Sequence, residues 1–282
     1  MSSLAVIWTF EIFKEYEFDF QIELLKYDLT VIKKYKNDFD FYMCILPEQK
    51  DLFKPYLNNF PCKIHYYDLT PPDWAQIAYE IHDKTKPLIM PAIIPFDLLN
   101  KYDMVLNIQS DNYIKSLNFE YPEKECDLSS TNYMPNDKFF WIGGGCILFY
   151  KTYLRQLENV KKKFTELHNN PRYFFEELLL SELYFENKLS IANSAMTDSV
   201  YMNQRTIEIF YKNNIYDLTE IAYRALFCMI GFLTDLKDNK IIVKWVKTRL
   251  LQLSLLKTNC IFKDKKLFNM FVKVNKMLNK KI

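Results

Sequence analysis

The first 110 residues alternate short apolar runs with longer amphipathic segments, and this alternation limits the folds that the chain can adopt. Residues 4–9 are apolar and include β-branched side chains, as expected of a strand buried on both faces. Residues 20–35 place apolar side chains at helical spacing, with lysines on the other side. Further strand-like segments are 39–46, 62–68 and 103–108, and further helix-like segments are 48–57 and 88–102. This order predicts an α/β fold with a mostly parallel sheet flanked by helices.

The pattern changes after residue 128. A short strand is predicted at 146–149, directly after a glycine cluster, and helices are predicted at 152–167 and 172–186. From about residue 206 the chain is helical in pattern throughout. We therefore expect residues 1–205 to form the α/β domain and residues 206–282 to form a helical C-terminal extension.

Cysteine and histidine are too scattered to indicate a zinc cluster. The six cysteines include no CxxC pair, and the three histidines lie far apart in the sequence. The N-terminus lacks the basic-then-apolar pattern of a signal peptide, and no run of about 18 uncharged apolar residues predicts a membrane-spanning helix. These features predict a cytoplasmic protein with free thiols.

Charge is unevenly distributed along the chain. Residues 240–282 contain 12 Lys or Arg and one acidic residue, a net charge of +11 against +2 for the whole chain, which leaves −9 for the first 239 residues. Apolar-rich segments studded with lysine suit the headgroup region of an anionic membrane. The alternative is that these basic helices cap an acidic domain. Nucleic acid is not an expected partner, because the acidic body would repel a phosphate backbone.

Glycine is scarce, and its placement excludes two nucleotide-binding classes. Average usage gives about 20 glycines in this length, yet the chain has four, and Gly143, Gly144 and Gly145 are consecutive. No glycine precedes them, so neither GxGxxG nor GxxxxGK[ST] can follow an early strand. We expect the three glycines to form a loop that faces a ligand, because a glycine backbone allows close approach. The alternative is a β-bulge or tight turn.

A carboxylate follows the predicted strand at 103–108. The strand runs into Gln109, Ser110 and Asp111, and ligands of open α/β sheets collect at the carboxyl ends of strands. A carboxylate there could hold Mg²⁺ or Mn²⁺ across a diphosphate. An aspartate after a strand also commonly forms a turn or caps a helix, which is the alternative interpretation.

Three segments in order resemble GT-A-fold glycosyltransferases, family 8 in particular. Residues 98–114, LLNKYDMVLNIQSDNYI, resemble the strand that ends in the family's Asp-x-Asp motif. Residues 140–157, FWIGGGCILFYKTYLRQL, resemble the small-residue loop, strand and helix that follow, and residues 174–185, FFEELLLSELYF, resemble an acidic element beside the acceptor. Together the resemblance covers residues 1–205.

The sequence departs from the family at two metal-binding positions. Gln109 replaces the first acidic residue, which leaves a Q-x-D variant that resembles a related group of uncharacterised bacterial glycosyltransferases. Family 8 enzymes also place a late histidine on the metal, and no histidine follows His168. Asp111 is then the metal ligand for Mn²⁺ or Mg²⁺, or the enzyme works without a metal.

The resemblance also implies roles for residues outside the metal motif. Thr9, Phe10 and Glu11, at the end of the first strand, would contact the nucleotide, and Asp198 would act near the diphosphate or the acceptor. Glu177 would be the general base or would orient the acceptor. Glu176 and Glu177 are adjacent on a predicted helix, so only one can face a cleft, and a solvated helix face is the alternative.

The sequence thus predicts a glycosyltransferase that moves a hexose from a nucleotide diphosphate sugar to a surface glycan or lipid-linked acceptor, and the family resemblance implies a UDP-linked donor. Donor contacts are expected at Gln109, Ser110 and Asp111 and at the three glycines. Residues 240–282 are expected to contact the inner face of an anionic membrane. Two alternatives stay open: a sugar nucleotidyltransferase, and a non-catalytic membrane-associated scaffold that kept the fold.

Overall fold

A computed structural model describes most of the chain. The described residues are 3–9, 18–45, 49–57, 60–68, 72–75, 90–110, 112–114, 117, 119, 126–136, 139–168, 176–193, 199–200, 218–255 and 263–280. They fall into two compact units. The first contains Met1–Ile12, Lys26–Ser110 and Ile114–Thr197, and the second contains Phe13–Leu25, Asp111–Tyr113 and Asp198–Ile282.

Nine strands lie within the described residues. They are β1 (Leu4–Thr9), β2 (Asp40–Ile45), β3 (Ile64–Asp68), β4 (Met104–Gln109), β5 (Asn112–Tyr113), β6 (Leu128–Asn136), β7 (Phe139–Tyr150), β8 (Ile191–Asn193) and β9 (Ser199–Val200). Seven of them form one sheet in the order β3-β2-β1-β4-β7-β6-β8. Every strand of this sheet runs in the same direction except β7, which is antiparallel to both of its neighbours.

Eight α-helices lie within the described residues. They are α1 (Phe18–Tyr35), α2 (Lys50–Phe53), α3 (Met90–Leu98), α4 (Leu157–His168), α5 (Glu176–Phe185), α6 (Leu218–Asp235), α7 (Lys240–Leu255) and α8 (Lys265–Asn279). A 3₁₀ turn, Lys151–Gln156, leads from β7 into α4. The predicted α/β fold with a mostly parallel sheet flanked by helices is confirmed.

The core of the first unit is built on the central strands. All six residues of β1 are buried, as expected of a parallel strand that is covered on both faces. On one face of the sheet, α3 packs on β1 and β4, and α5 packs on β7. Tyr153 joins these layers, because it is buried, stacks on Phe96 with ring centroids 4.5 Å apart, and donates a hydrogen bond to the Ala92 carbonyl at 3.0 Å.

The three consecutive glycines do not form the loop that the sequence predicted. Gly143, Gly144 and Gly145 lie inside β7 and not in a loop before it. Pairing of β7 with β6 passes from Ser130–Ile147 to Asn132–Ile142, so β7 carries additional residues at the glycines, as in a bulge. The ladder with β6 continues on both sides of the glycines and keeps this stretch extended, and no glycine in the described part of the chain has a positive φ. The bulge that the sequence left as the alternative is the better description.

The second unit has an aromatic core among its helices. Phe20 stacks on Trp245 with ring centroids 4.2 Å apart, and Phe232 meets both rings edge-on. Helix α6 packs against α7, α8 and β9, and Asp264 caps the start of α8 by accepting two backbone N–H groups. No helix in the described part of the chain is long and apolar enough to cross a membrane. The predicted domain boundary at residues 205 and 206 stays a prediction.

Candidate functional site

The carboxyl ends of β1 and β4 lie side by side at one edge of the seven-stranded sheet. Thr9 and Gln109 are the last registered pair of these two parallel strands. The Thr9 side chain is buried, yet its Oγ1 makes no hydrogen bond to any residue that the structure describes. A buried hydroxyl in that state is costly unless something else binds it. This edge is therefore the candidate site.

The glycines of β7 reach the same edge. The final pair between β4 and β7 is Ile108 with Cys146, and the strands are antiparallel. Gln109 and Ser110 follow Ile108 along β4, and Gly145 and the two glycines before it precede Cys146 along β7. All five residues therefore lie at the same edge of the sheet. Gln109 is half-buried and Ser110 is buried. A stretch of three residues without Cβ atoms lets a ligand approach the backbone next to these polar side chains.

A buried carboxylate that the sequence analysis missed lies close to this edge. Asp28 of α1 is only 2% exposed, and its Oδ1 accepts a hydrogen bond from the Ile114 amide at 2.9 Å. Burial raises the pKa of Asp28 well above its usual range, and the Ile114 hydrogen bond opposes that rise in part. Burial also raises the pKa of Cys146, and the negative charge of Asp28 adds to the effect. The signal in the sequence is an acidic residue among the apolar positions of a helix.

The second unit contains a pair of short strands, and each strand comes directly after a predicted site residue in the sequence. In β5 and β9, Asn112 pairs with Val200 and Tyr113 pairs with Ser199. Asp111 directly precedes β5, and Asp198 directly precedes β9. Asp111 and Asp198 themselves lie outside the described residues, as do Phe10 and Glu11.

The acidic element predicted beside the acceptor forms the helix α5. Glu177 lies in its first turn, and the described structure extends to its backbone only. Two later carboxylates of the same region bind a lysine of α4: Lys163 lies 3.8 Å from Glu182 and also pairs with Glu186. These two carboxylates therefore contribute to helix packing, and Glu177 stays the candidate for chemistry.

Comparison with solved structures identifies the architecture. The chain is similar to mouse xyloside xylosyltransferase 1 in its apo form, with a TM-score of 0.50 and 8% identity over 76% of this chain and 92% of that one. The fold is GT-A-like. No family model and no curated protein sequence matches the chain.

Two further structures show weaker similarity to this GT-A-like chain. One is the galactosyltransferase LgtC in complex with donor and acceptor sugar analogues, with a TM-score of 0.45 and 12% identity over 67% of this chain and 73% of that one. The other is 4-diphosphocytidyl-2C-methyl-D-erythritol synthase from Anaerococcus prevotii, with a TM-score of 0.39 and 11% identity over 76% of this chain and 96% of that one.

The donor atoms at the end of β4 in this GT-A-like sheet fit a hard divalent cation. The Gln109 amide and the Ser110 hydroxyl offer oxygen, and Asp111 follows them in sequence. Oxygen is the ligand that Mg²⁺ prefers and that Mn²⁺ readily accepts. Within the described ranges, no group of three His, Cys, Asp or Glu side chains is placed to hold a metal ion. Asp111 lies outside those ranges.

Proposed function

We propose that this protein is a glycosyltransferase that moves a hexose from a nucleotide diphosphate sugar to a hydroxyl group of a surface glycan or lipid-linked acceptor. One observation carries the proposal: a GT-A-like sheet ends in Thr9, Gln109 and Ser110 at the edge where the glycines of β7 also lie. Such an edge is where open α/β sheets bind their ligands. A UDP-linked donor and a family 8-like enzyme with a Q-x-D motif are part of the proposal.

The donor would bind along this edge. Thr9, together with Phe10 and Glu11, would contact the nucleotide, and the buried Oγ1 of Thr9 is available as a hydrogen-bonding group. Gly143, Gly144 and Gly145 would leave room for the sugar and its diphosphate. The side chains of Gln109 and Ser110 would bind the diphosphate or the cation that accompanies it.

Asp111 would be the carboxylate ligand for Mn²⁺ or Mg²⁺, with the neutral Gln109 beside it. A bound cation supplies charge neutralisation for the diphosphate as the sugar leaves. Gln109 adds no negative charge, so the cation site has one carboxylate fewer than the Asp-x-Asp motif. Catalysis without a metal is the corresponding alternative.

Glu177 would serve as the base for the acceptor. The acceptor oxygen forms a bond to the anomeric carbon while the bond from that carbon to the diphosphate breaks, and the acceptor proton passes to the carboxylate. Asp198, which directly precedes β9, would assist at the diphosphate or the acceptor. The ladder of β5 with β9 supports a shared role for the segments that carry Asp111 and Asp198.

The test is a thermal-shift panel of nucleotides and nucleotide sugars with Mn²⁺, Mg²⁺ or EDTA. A ligand at about 100 times its Kd raises the free energy of unfolding by about 2.7 kcal/mol. We expect a shift with one nucleotide class that is lost in EDTA and in D111A. D103A is the matched control, because Asp103 directly precedes the same strand, at the opposite end from Asp111.

Each other outcome of the panel has its own meaning. A donor shift that survives EDTA and D111A contradicts the metal role and leaves the transferase. No shift with any nucleotide favours the non-catalytic scaffold. A separate product assay identifies the remaining alternative: release of pyrophosphate from a nucleoside triphosphate, in place of a nucleoside diphosphate from a nucleotide sugar, would identify the sugar nucleotidyltransferase.

The basic helices support a second element of the proposal, contact with an anionic membrane from the cytoplasmic side. In α7 the exposed positions recur along one face and include Lys244 and Lys247, with Leu251 60% exposed on the same face. In α8 the exposed Phe268 lies among exposed lysines. Lysines with neighbouring exposed apolar side chains suit the interface of an anionic bilayer. A lipid-linked acceptor would be encountered at that surface.

A further inference from the structure

Asp28 is an acidic residue at a buried position, where a charged side chain is energetically unfavourable. It occupies the apolar stripe of α1 beside Leu25, Leu29 and Ile32, all of which are buried. A carboxylate loses its hydration on burial, and this cost is offset only where the group is hydrogen-bonded. The hydrogen bond that Asp28 makes therefore indicates why an aspartate lies here.

The hydrogen bond of Asp28 reaches the segment that leaves β4. Its Oδ1 accepts the N–H group of Ile114, a buried residue 86 positions later in the chain, at 2.9 Å. Ile114 lies three residues after Asp111, and Ser110, which directly precedes Asp111, is buried. The described residues on both sides of Asp111 are thus fixed: Ser110 by burial at the end of β4, and Ile114 by its hydrogen bond to Asp28.

Asp28 also lies near the glycine stretch of β7. Its charge contributes to the raised pKa of Cys146, which directly follows Gly145. One buried carboxylate is therefore close to both strands whose ends form the candidate site. A helix side chain that accepts a hydrogen bond from a main-chain N–H group can orient the segment that carries a ligand-binding residue.

We propose that Asp28 is a positioning residue that fixes the segment 109–114, and with it Asp111, through the hydrogen bond from the Ile114 amide. The proposal rests on the proposed donor site. Asp28 does not touch the donor. Asp28 restricts the conformations of this segment before the donor binds, which reduces the loss of conformational entropy on binding.

Two variants of similar side-chain size separate this role from stability. D28N retains an oxygen that can accept the Ile114 N–H group, whereas D28L fills the space without an acceptor and without a buried charge. The control is D127N, because Asp127 is also a buried aspartate with hydrogen-bonded oxygens, and it directly precedes β6 at the opposite edge of the sheet.

The readouts are hydrogen–deuterium exchange of peptides that span residues 104–117 and the Kd for the donor found with the wild type. In D28L we expect faster exchange at 110–114 and a donor Kd raised about tenfold or more, the usual loss for an orienting partner of a ligand residue. In D28N both should stay close to wild type. D127N should lower Tm without changing exchange at 110–114.

Unchanged exchange at 110–114 in D28L overturns the proposal whatever the wild type binds. Faster exchange with an unchanged donor Kd overturns it too, because the segment would then be anchored without consequence for the site. If the wild type binds no donor, the proposed function fails, and faster exchange in D28L but not in D127N still supports the anchoring of the segment.

Discussion

The carboxylate of Asp127 accepts four hydrogen bonds at the edge of the sheet where β6 begins. It is 1% exposed and accepts from the Arg155 Nε at 3.1 Å, from the Gln156 Nε2 at 3.0 Å and from the backbone and hydroxyl of Ser190 at 2.9 and 3.0 Å. These partners lie in the turn after β7 and directly before β8. One carboxylate therefore joins three separate parts of the chain.

Removal of Asp127 should be costly. D127A leaves the buried Gln156 amide and the Ser190 N–H group without an acceptor, and we expect the free energy of unfolding to fall by about 3 kcal/mol. The measurement is urea denaturation followed by far-UV circular dichroism. R155A is the control, because Arg155 is 54% exposed and an exposed partner contributes at most about 1 kcal/mol. Equal losses in the two variants would contradict this account.

At the scale of elements, helices α4 and α5 are joined by a lysine surrounded by carboxylates. The Lys163 side chain is 9% exposed, lies 3.1 Å from Glu166 and 3.8 Å from Glu182, and also pairs with Glu186. Burial acts to lower the pKa of Lys163, but the hydrogen bonds with Glu186 and Glu166 outweigh it and raise the pKa above 10.5. Folding therefore favours the protonated amine.

The raised pKa of Lys163 predicts an alkaline loss of stability. A group whose pKa is higher in the folded state stabilises fully below its unfolded pKa, here 10.5, and loses that contribution as the pH rises through the folded value. We expect K163M to be less stable than wild type at pH 7 to about 9, with a difference that shrinks above pH 10.5. Chemical denaturation across this range is the measurement.

A matched lysine makes the comparison specific. Lys162 lies on the same helix with its side chain 79% exposed and 3.9 Å from Glu166. K162M should change stability little at any pH. A difference between wild type and K163M that stays constant through pH 11 would show that the amine's charge is not the source of the stabilisation.

At the scale of the whole molecule, the basic C-terminal helices are part of a packed unit and not a detachable tail. Trp245 of α7 stacks on Phe20, and Asn239 donates a hydrogen bond to Glu23 at 3.0 Å. Deletion of residues 240–282 would expose this aromatic core. Membrane contact is therefore better tested by surface substitution in the full chain.

We expect K244E/K247E to lose binding to vesicles that contain anionic lipid, while the wild type binds them and is released as salt is raised. Each lysine near such a surface contributes about 1 kcal/mol, and screening weakens this attraction. Co-sedimentation with anionic and with neutral vesicles is the measurement, and K161E/K162E on α4 is the matched control. Equal binding by both double variants would contradict a membrane surface on α7.

The hydrophobic pattern of the sequence alone predicted several strands of the sheet and the first helix. The strands β1 to β4 and the helix α1 were expected from apolar runs and helical spacing, and β1 and β4 are buried along almost their whole length. β6 was missed, since Ser129 and Ser130 are buried polar residues that give no apolar signal and are held by pairing with β7 and β8. Side chains that are buried by a neighbouring strand cannot be recognised from their own segment.

For the site, the local sequence determined which residue types stand at the strand ends: Thr9 at the end of β1, Gln109 at the end of β4 with Ser110 after it, and three glycines in a chain with one other. Only the tertiary structure decided that the glycines extend within β7 beside the end of β4, and that Asp28 reaches the Ile114 amide. The physical reason is that a strand end is a local property of the chain, whereas register and a hydrogen bond across 86 residues depend on which elements pack together.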